Sequence, residues 1–363
     1  MKSKFDINSD IKYAETLPAN FYKSIEVFET VREKIFLNSW QWIGDKSILN
    51  KNNNLFPLTV LPGFVDEPIL ITKTKNNQIN FLSNVCTHRG NILVKKECKA
   101  KKIICNYHGR KFNNDGKFEF MPEFDKVEDF PKKTDDLINF PSFEWNGLFF
   151  IGFNPKFKIS SILEKIGERI SFLPIDKIKC DHNLSRDYLI NANWALYCDN
   201  YLEGFHVPFV HPGLNQVLDY NNYETEIYKY FNLQIGYAKD KYKCFVIPKS
   251  HPDYGKKIAA YYYWIFPNLM LNVYPWGISV NLVCPIEKSK TKILFRSYVF
   301  DSKKLNSGAS DDLDKVEMED EEIVLEVQKG LKSNFYRSGR FSPTKEKGVH
   351  HFHTLISKFY NAK

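Results

Sequence analysis

The rhythm of hydrophobic positions changes three times along the chain. Between Phe21 and Phe36 they recur at helical spacing, with Ile25, Phe28, Val31, Ile35 and Phe36 on one stripe, and they predict a helix there. From Trp40 to Pro155 that period gives way to short apolar runs broken by Asn, Gly and Pro, such as "PILITKT", "INFLSNVC" and "GLFFIGF". This texture predicts antiparallel strands. "GFNPKFK" at 152–158 marks a boundary, and helical stretches follow near 159–171 and 193–206. A β region over 224–300 carries "AAYYYWIF", "LMLNVYPW" and "ILFRSYVF", and a charged helix follows over about 311–333. The expected fold class is α+β, with a helical segment at 1–39, a small antiparallel β domain at 40–155 and a larger domain at 156–363 that combines an antiparallel sheet with a long helix.

Composition narrows the class. A length of 363 residues exceeds one ordinary core, which agrees with two domains. The net charge of +8 is spread along the chain and does not by itself argue for nucleic acid. Seven cysteines, an odd and sparse set, do not form a disulfide framework and suit a reducing, cytoplasmic setting. The first twenty residues lack an apolar leader, and no apolar run is long enough to span a membrane.

Two short stretches carry metal-ligand chemistry. "NVCTHRG" pairs Cys86 with His88, and "CNYHGR" pairs Cys105 with His108. A zinc site would ordinarily draw two ligands of one kind from each arm, as in C-x2-4-C with H-x3-5-H. Here each arm supplies one Cys and one His, and the C-x-H gap is tight for two ligands on one tetrahedral ion. The pattern suits two irons that each take one ligand from each loop, the Rieske [2Fe–2S] arrangement in which two His replace two Cys on one iron.

A second set lies downstream. "NYLEGFHVPFVH" carries His206 and His211, with Pro208 expected to end the preceding helix just after the first His. In "DDLDKVEMEDEEIVLEVQKGL" the apolar positions Leu313, Val316, Ile323, Val324, Val327 and Leu331 fall in one arc with Asp320 at its centre and Glu317 at its edge. A carboxylate on a buried face must be paired or bind metal. His206, His211 and Asp320 together make a 2-His-1-carboxylate set suited to non-haem Fe(II), with Glu317 the rival ligand and a salt-bridged Asp320 the alternative.

With both sets in hand, the chain resembles the catalytic α subunits of Rieske non-haem iron oxygenases, and most of all their choline and carnitine monooxygenase branch. The resemblance rests on "SWQWIGD", "CTHRG…CNYHG", "NANWALYCDNYLEGFHVPFVH", "MEDEEIVLEVQKGL" and "SGRFSP…HHFH". It implies a Rieske domain joined to a helix-grip catalytic domain, one 2Fe–2S cluster, one mononuclear iron and homotrimers. The reaction it implies uses O2, two electrons and two protons to hydroxylate or demethylate a small organic substrate. Aromatic-ring hydroxylation and pure electron transfer are the alternatives. It also implies that Glu203, three residues before His206, carries electrons between subunits. Asp199, one turn earlier, could share that role or serve only as a helix-face or capping residue. No dinucleotide fingerprint is present, so NAD(P)H is expected to be read by a separate flavin or ferredoxin-type reductase. Relatives write "CPYHGW" where this chain has Asn106 and Arg110.

Two further readings concern ligands. Tyr261, Tyr263, Tyr274 and Trp276 are candidates to line a substrate cavity and suit a quaternary ammonium through cation–π contact, although each could equally be a core aromatic. Lys95, Lys96, Lys99, Lys101, Lys102, Arg110 and Lys111 cluster around the second Cys–His loop and suit an acidic redox partner, or only a solvated hairpin tip. His350, His351 and His353 read as structural.

Overall fold

The computed structural model describes residues 4–240, 244–305 and 313–362. The chain divides into two compact units, Met1–Ser39 with Lys156–Lys363, and Trp40–Pro155.

The first unit begins with α1 (Ala19–Lys23) and α2 (Ile25–Lys34), two helices where the sequence pattern predicts one. Ser24 makes the break. Its backbone is extended and its hydroxyl accepts from the Val27 N–H, so it caps the second helix and does not continue the first. This segment is fastened to the rest of its unit by Phe36, edge-on to Trp194 at 5.0 Å, and by the Leu17 N–H, which donates to His353 Nδ1 at 3.0 Å.

The smaller unit holds nine strands: β1 (Trp40–Asp45), β2 (Leu55–Val60), β3 (Glu67–Lys73), β4 (Ile79–Ser83), β5 (Ile103–Ile104), β6 (Lys111–Phe112), β7 (Phe118–Phe120), β8 (Ser142–Trp145) and β9 (Leu148–Gly152). They form three antiparallel three-stranded sheets in the orders β1-β9-β8, β2-β3-β4 and β5-β6-β7. Cys86 and Cys105 are buried in one small core with Leu70, Leu82 and Phe112.

After α3 (Ile159–Arg169) and β10 (Lys179–Ile190) come α4 (Trp194–Tyr201), α5 (Val207–Val210) and α6 (Pro212–Val217). The strands β11 (Glu224–Ile227), β12 (Phe231–Tyr237), β13 (Ile258–Ile265), β14 (Leu269–Tyr274), β15 (Gly277–Glu287) and β16 (Lys290–Val299) join β10 in one antiparallel sheet, ordered β10-β16-β15-β14-β13-β12-β11. α7 (Leu313–Gly330) and α8 (Lys347–Asn361) complete the fold, so the α+β expectation holds. The expected start of α7 near 311 lies outside the described residues. α8 buries Phe352, Leu355, Ile356 and Phe359, with Phe352 edge-on to both Trp194 and Trp264.

The apolar arc expected on α7 is rotated in the structure. Ile323 and Val327 are exposed, whereas Glu317, Val324, Gln328 and Leu331 are buried. The buried face is centred about 50° from Asp320, on the Glu317 side. Hydrogen bonds are the reason: the Tyr197 hydroxyl donates to Glu317 at 2.6 Å and the Asn193 N–H to Gln328 at 2.8 Å. Two polar side chains can be buried where two apolar ones were expected, because both are partnered.

Candidate metal centres

The two Cys–His loops are the same turn built twice. In the first, the Cys86 N–H donates to the Asn91 carbonyl and the Gly90 N–H to the Cys86 carbonyl. In the second, the Cys105 N–H donates to the Arg110 carbonyl and the Gly109 N–H to the Cys105 carbonyl. Gly90 and Gly109 take φ of +71° and +75°, the left-handed conformation that closes each turn at little steric cost only for glycine. The His88 and His108 rings meet edge-on at 4.8 Å. Each has a buried Nδ1 without a hydrogen-bond partner among the described residues. Burial holds the His88 imidazole below its ordinary pKa, which favours the neutral form that ligates metal. Asn91 donates to Cys105 Sγ at 3.5 Å. Two orphaned imidazole nitrogens and two buried thiols are a donor set that fits a Rieske cluster.

Arg110 is not a surface cation. It is 2% exposed, lies over the Phe118 ring at 4.8 Å and is bonded to Asp135 at 2.6 Å. Lys102 is paired with Glu119 at 2.5 Å. The free basic set around the loops therefore reduces to Lys95, Lys96, Lys99 and Lys101, all exposed, with Lys111 half-buried.

The second set converges as well. α4 stops at Tyr201, earlier than the pattern predicts, and Pro208 opens α5 where it was expected to end a helix. Proline is well tolerated in a first helical turn, where its missing N–H costs nothing. The intervening turn is held by Glu203, whose carboxylate accepts from the Phe205 and His206 N–H groups. Its Oε1 also lies 2.6 Å from His206 Nδ1. His211 is bracketed in the same way, with Nδ1 at 2.7 Å from Glu319 and Nε2 at 3.0 Å from Asp320 Oδ1. His206 Nε2 is 3.5 Å from that same oxygen. One ligand atom from each of His206, His211 and Asp320 lies within 4.8 Å of the others. Both imidazoles thus turn Nε2 to a common point while a carboxylate holds each Nδ1, the second-shell arrangement that fixes tautomer and orientation in metal sites. This donor set fits a mononuclear iron. Burial opposes charge on His211, but its bonds to Asp320 and Glu319 outweigh burial and raise its pKa. Helical periodicity places Glu319 outside the apolar arc of α7 and so gives no reason to pick it. Only the turn that carries His211 brings it a partner.

Asp199 belongs to a different network. Its carboxylate accepts from the Tyr22 hydroxyl at 2.7 Å and from His353 Nε2 at 2.8 Å. His353 Nδ1 accepts the Leu17 N–H, so Nε2 carries the proton. These contacts tie Asp199 to α1 and α8, a fastening role that neither sequence reading of it foresaw.

A cavity of about 120 Å³ opens at the His206–His211–Asp320 group. That is roughly ten times the ~10–15 Å³ one water needs, room for a small organic molecule. The sheet contributes Tyr262, Asn272, Tyr274, Ser279, Asn281 and Phe295; the helices and connecting turns contribute Tyr197, Tyr201, Tyr223, Glu203 and Glu317. Of the four aromatic candidates, Tyr274 lines the cavity and Trp276 stacks behind it at 5.4 Å. Tyr261 and Tyr263 do not line it. Strand alternation sends them to the opposite face of β13, where the Tyr261 hydroxyl donates to Asp253 at 2.9 Å. Tyr262 takes the place expected for them.

The comparisons with known proteins agree with this architecture. Residues 39–131 match the Rieske [2Fe-2S] domain, and residues 175–362 match the ring hydroxylating alpha subunit (catalytic domain). The chain belongs to the ring-hydroxylating α-subunit family of Rieske oxygenases, and as such it is an oxidoreductase with a Rieske cluster and a mononuclear iron. Among curated relatives, it is 27% identical to the chloroplastic choline monooxygenase of Arabidopsis thaliana over 98% of this chain and 85% of that one. It is 29% identical to the carnitine monooxygenase oxygenase subunit of Escherichia coli K12 over 96% and 94%. The quaternary ammonium Rieske monooxygenase CntA, solved with L-carnitine, superposes with a TM-score of 0.73 at 25% identity, covering 98% of this chain and 97% of that one. Naphthalene 1,2-dioxygenase with indole shares the fold at a TM-score of 0.69 and 16% identity, covering 98% and 95%. No helix among the described residues is long and apolar enough to cross a membrane.

Proposed function

We propose that the protein is a monooxygenase that hydroxylates or demethylates a small quaternary ammonium compound. The observation that carries this reading is what lines the cavity: tyrosine rings and three carboxylates stand among apolar and amide side chains, with no lysine or arginine among the described lining residues. Tyrosine faces attract a cation that has lost its water. An aromatic hydrocarbon would instead leave the unpartnered oxygen of Glu317 against an apolar ligand, at a cost of about 1–3 kcal/mol.

In this reading Cys86, His88, Cys105 and His108 hold the cluster, and His206, His211 and Asp320 hold the iron. The bound metals would supply one-electron transfer and O2 activation. The chain's own residues do the rest. Glu203 and Glu319 keep the Nδ1 protons of His206 and His211, so that both Nε2 lone pairs face the site. Tyr201, fixed by donating to Asn272 at 2.7 Å, and Tyr262 wall the substrate against the iron ligands and limit the water around it. Glu203 connects the site to the neighbouring subunit's cluster in a homotrimer or a multiple of three. Electrons come from an NAD(P)H-dependent flavin or ferredoxin-type reductase, and cysteines that form no disulfide among the described residues suit a cytoplasmic enzyme.

The test is NAD(P)H-linked oxygen uptake, with a supplied reductase, across choline, carnitine, betaines and simple aromatics. Coupled product from a trimethylammonium compound is expected. Coupled product from an aromatic hydrocarbon or acid alone would overturn the substrate assignment.

A further inference from the structure

Glu317 stands one turn before Asp320 on α7 and is 4% exposed. One carboxylate oxygen, Oε2, accepts the Tyr197 hydroxyl at 2.6 Å. The other, Oε1, is buried without a hydrogen-bond partner among the described residues, and the side chain lines the cavity. The other two lining carboxylates are engaged, Asp320 by both His Nε2 atoms and Glu203 by His206 Nδ1. Of the three lining acids, Glu317 is the one with a buried oxygen that no hydrogen bond meets among the described residues.

A buried carboxyl oxygen left without a partner costs about 1–3 kcal/mol. A ligand that meets it recovers that cost. Burial, with Asp320 adding to it, holds the Glu317 pKa well above the ordinary carboxylate range, so an arriving cation stabilises the charged form. A cation entering the same cavity has the opposite problem, since it loses water and the other two lining acids belong to the His206–His211–Asp320 group and its support. Tyr197 pins Oε2 and so fixes where Oε1 points. A helix rises about 4.5 Å in three residues, so whatever meets Oε1 sits beside the Asp320 turn.

Building on the quaternary ammonium reading above, we propose that Glu317 is the residue that selects for charge. Its free Oε1 forms a close ionic contact with the substrate's ammonium head, while Tyr262 and Tyr274 supply the aromatic walls. Held there, the cation presents the C–H bonds beside its nitrogen to the side of the cavity formed by His206, His211 and Asp320. The carboxyl contributes charge recognition only and does not ligate iron.

The experiment measures binding of tetramethylammonium to the holoenzyme by calorimetry, alongside choline and its uncharged carbon isostere 3,3-dimethylbutan-1-ol. The wild type is expected to bind choline at least about tenfold more tightly than the isostere. Glu317→Gln is expected to weaken tetramethylammonium by about tenfold or more, to leave the isostere unchanged, and to keep full iron content and cluster absorption. Glu317→Asp keeps the charge and is expected to keep the preference for choline. If the wild type prefers choline and Glu317→Gln prefers it equally, the Glu317 assignment fails while the substrate reading stands. If the wild type binds neither cation better than the isostere, both fail. Where the glutamine variant does not fold, Glu317→Leu, which removes the same charge, is read against the same outcomes.

Discussion

Oε1 of Glu203 lies 2.6 Å from Nδ1 of His206, three residues further on across a turn. That contact keeps the proton on Nδ1 and leaves Nε2 unprotonated on the side of His211 and Asp320. Removing the acceptor should therefore loosen iron. Glu203→Ala is expected to lower iron affinity by about 10–100-fold, read as iron retained after dialysis against a graded chelator. Glu203→Gln keeps an acceptor for the Nδ1 proton and is expected to retain iron within a few-fold, while reoxidation of the reduced cluster by substrate and O2 slows. A wild-type reoxidation rate in Glu203→Gln would remove Glu203 from the electron path.

The Glu203 case shows what the sequence could and could not tell. The cluster loops were legible because C-x-H-x-G and C-x-x-H-G are each a complete local turn; the hydrogen bonds that shape them span only five residues. The iron set was legible in its members, but for a partly mistaken reason. The apolar arc on α7 pointed to Asp320, whereas the face that is buried centres nearer Glu317, because Tyr197 and Asn193 each donate one hydrogen bond, to Glu317 and Gln328, from another helix and its cap. Such partners come from over a hundred residues away and leave no periodic trace. The same holds for Glu319 beside His211 and for Asp199 between Tyr22 and His353. Strand alternation puts Tyr261 and Tyr263 on one face of β13 and Tyr262 on the other. It could not say which set faces the cavity, since both faces of the central sheet are buried.

His351 gives the pH dependence. Burial pushes its pKa down to about 4, so the folded protein resists a proton that the unfolded chain takes up near pH 6.5. The unfolded state binds more protons between those values, and stability is lost as pH falls from about 6.5 towards 4. Lowering from 6.5 to about 4 corresponds to about 3 kcal/mol across that window. His351→Phe is expected to flatten this stretch of the curve of denaturant-derived stability against pH by most of that amount. An unchanged slope would place the acid sensitivity elsewhere.

The exposed lysines by the second Cys–His loop predict a salt effect. If the reductase approaches through Lys95, Lys96, Lys99 and Lys101, the second-order rate of cluster reduction should fall steeply with added salt, since such charges are screened over about 8–10 Å. Changing Lys95, Lys99 and Lys101 to Glu is expected to slow reduction and flatten the salt slope without altering substrate affinity. Arg110→Leu should act differently. It leaves Asp135 without its buried partner and is expected to destabilise the small β unit by about 3 kcal/mol, seen as an earlier melting transition.

The central claim is that His206, His211 and Asp320 hold a mononuclear iron separate from the cluster. Iron per chain, counted in the wild type and in Asp320→Ala beside the visible absorption of the cluster, tests it most directly. The wild type is expected to hold about three irons, two of them in the cluster. Asp320→Ala is expected to hold about two, with cluster absorption intact and substrate-dependent oxygen uptake abolished. An Asp320→Ala protein that keeps its third iron and turns over normally would contradict the assignment and move the carboxylate ligand to Glu317.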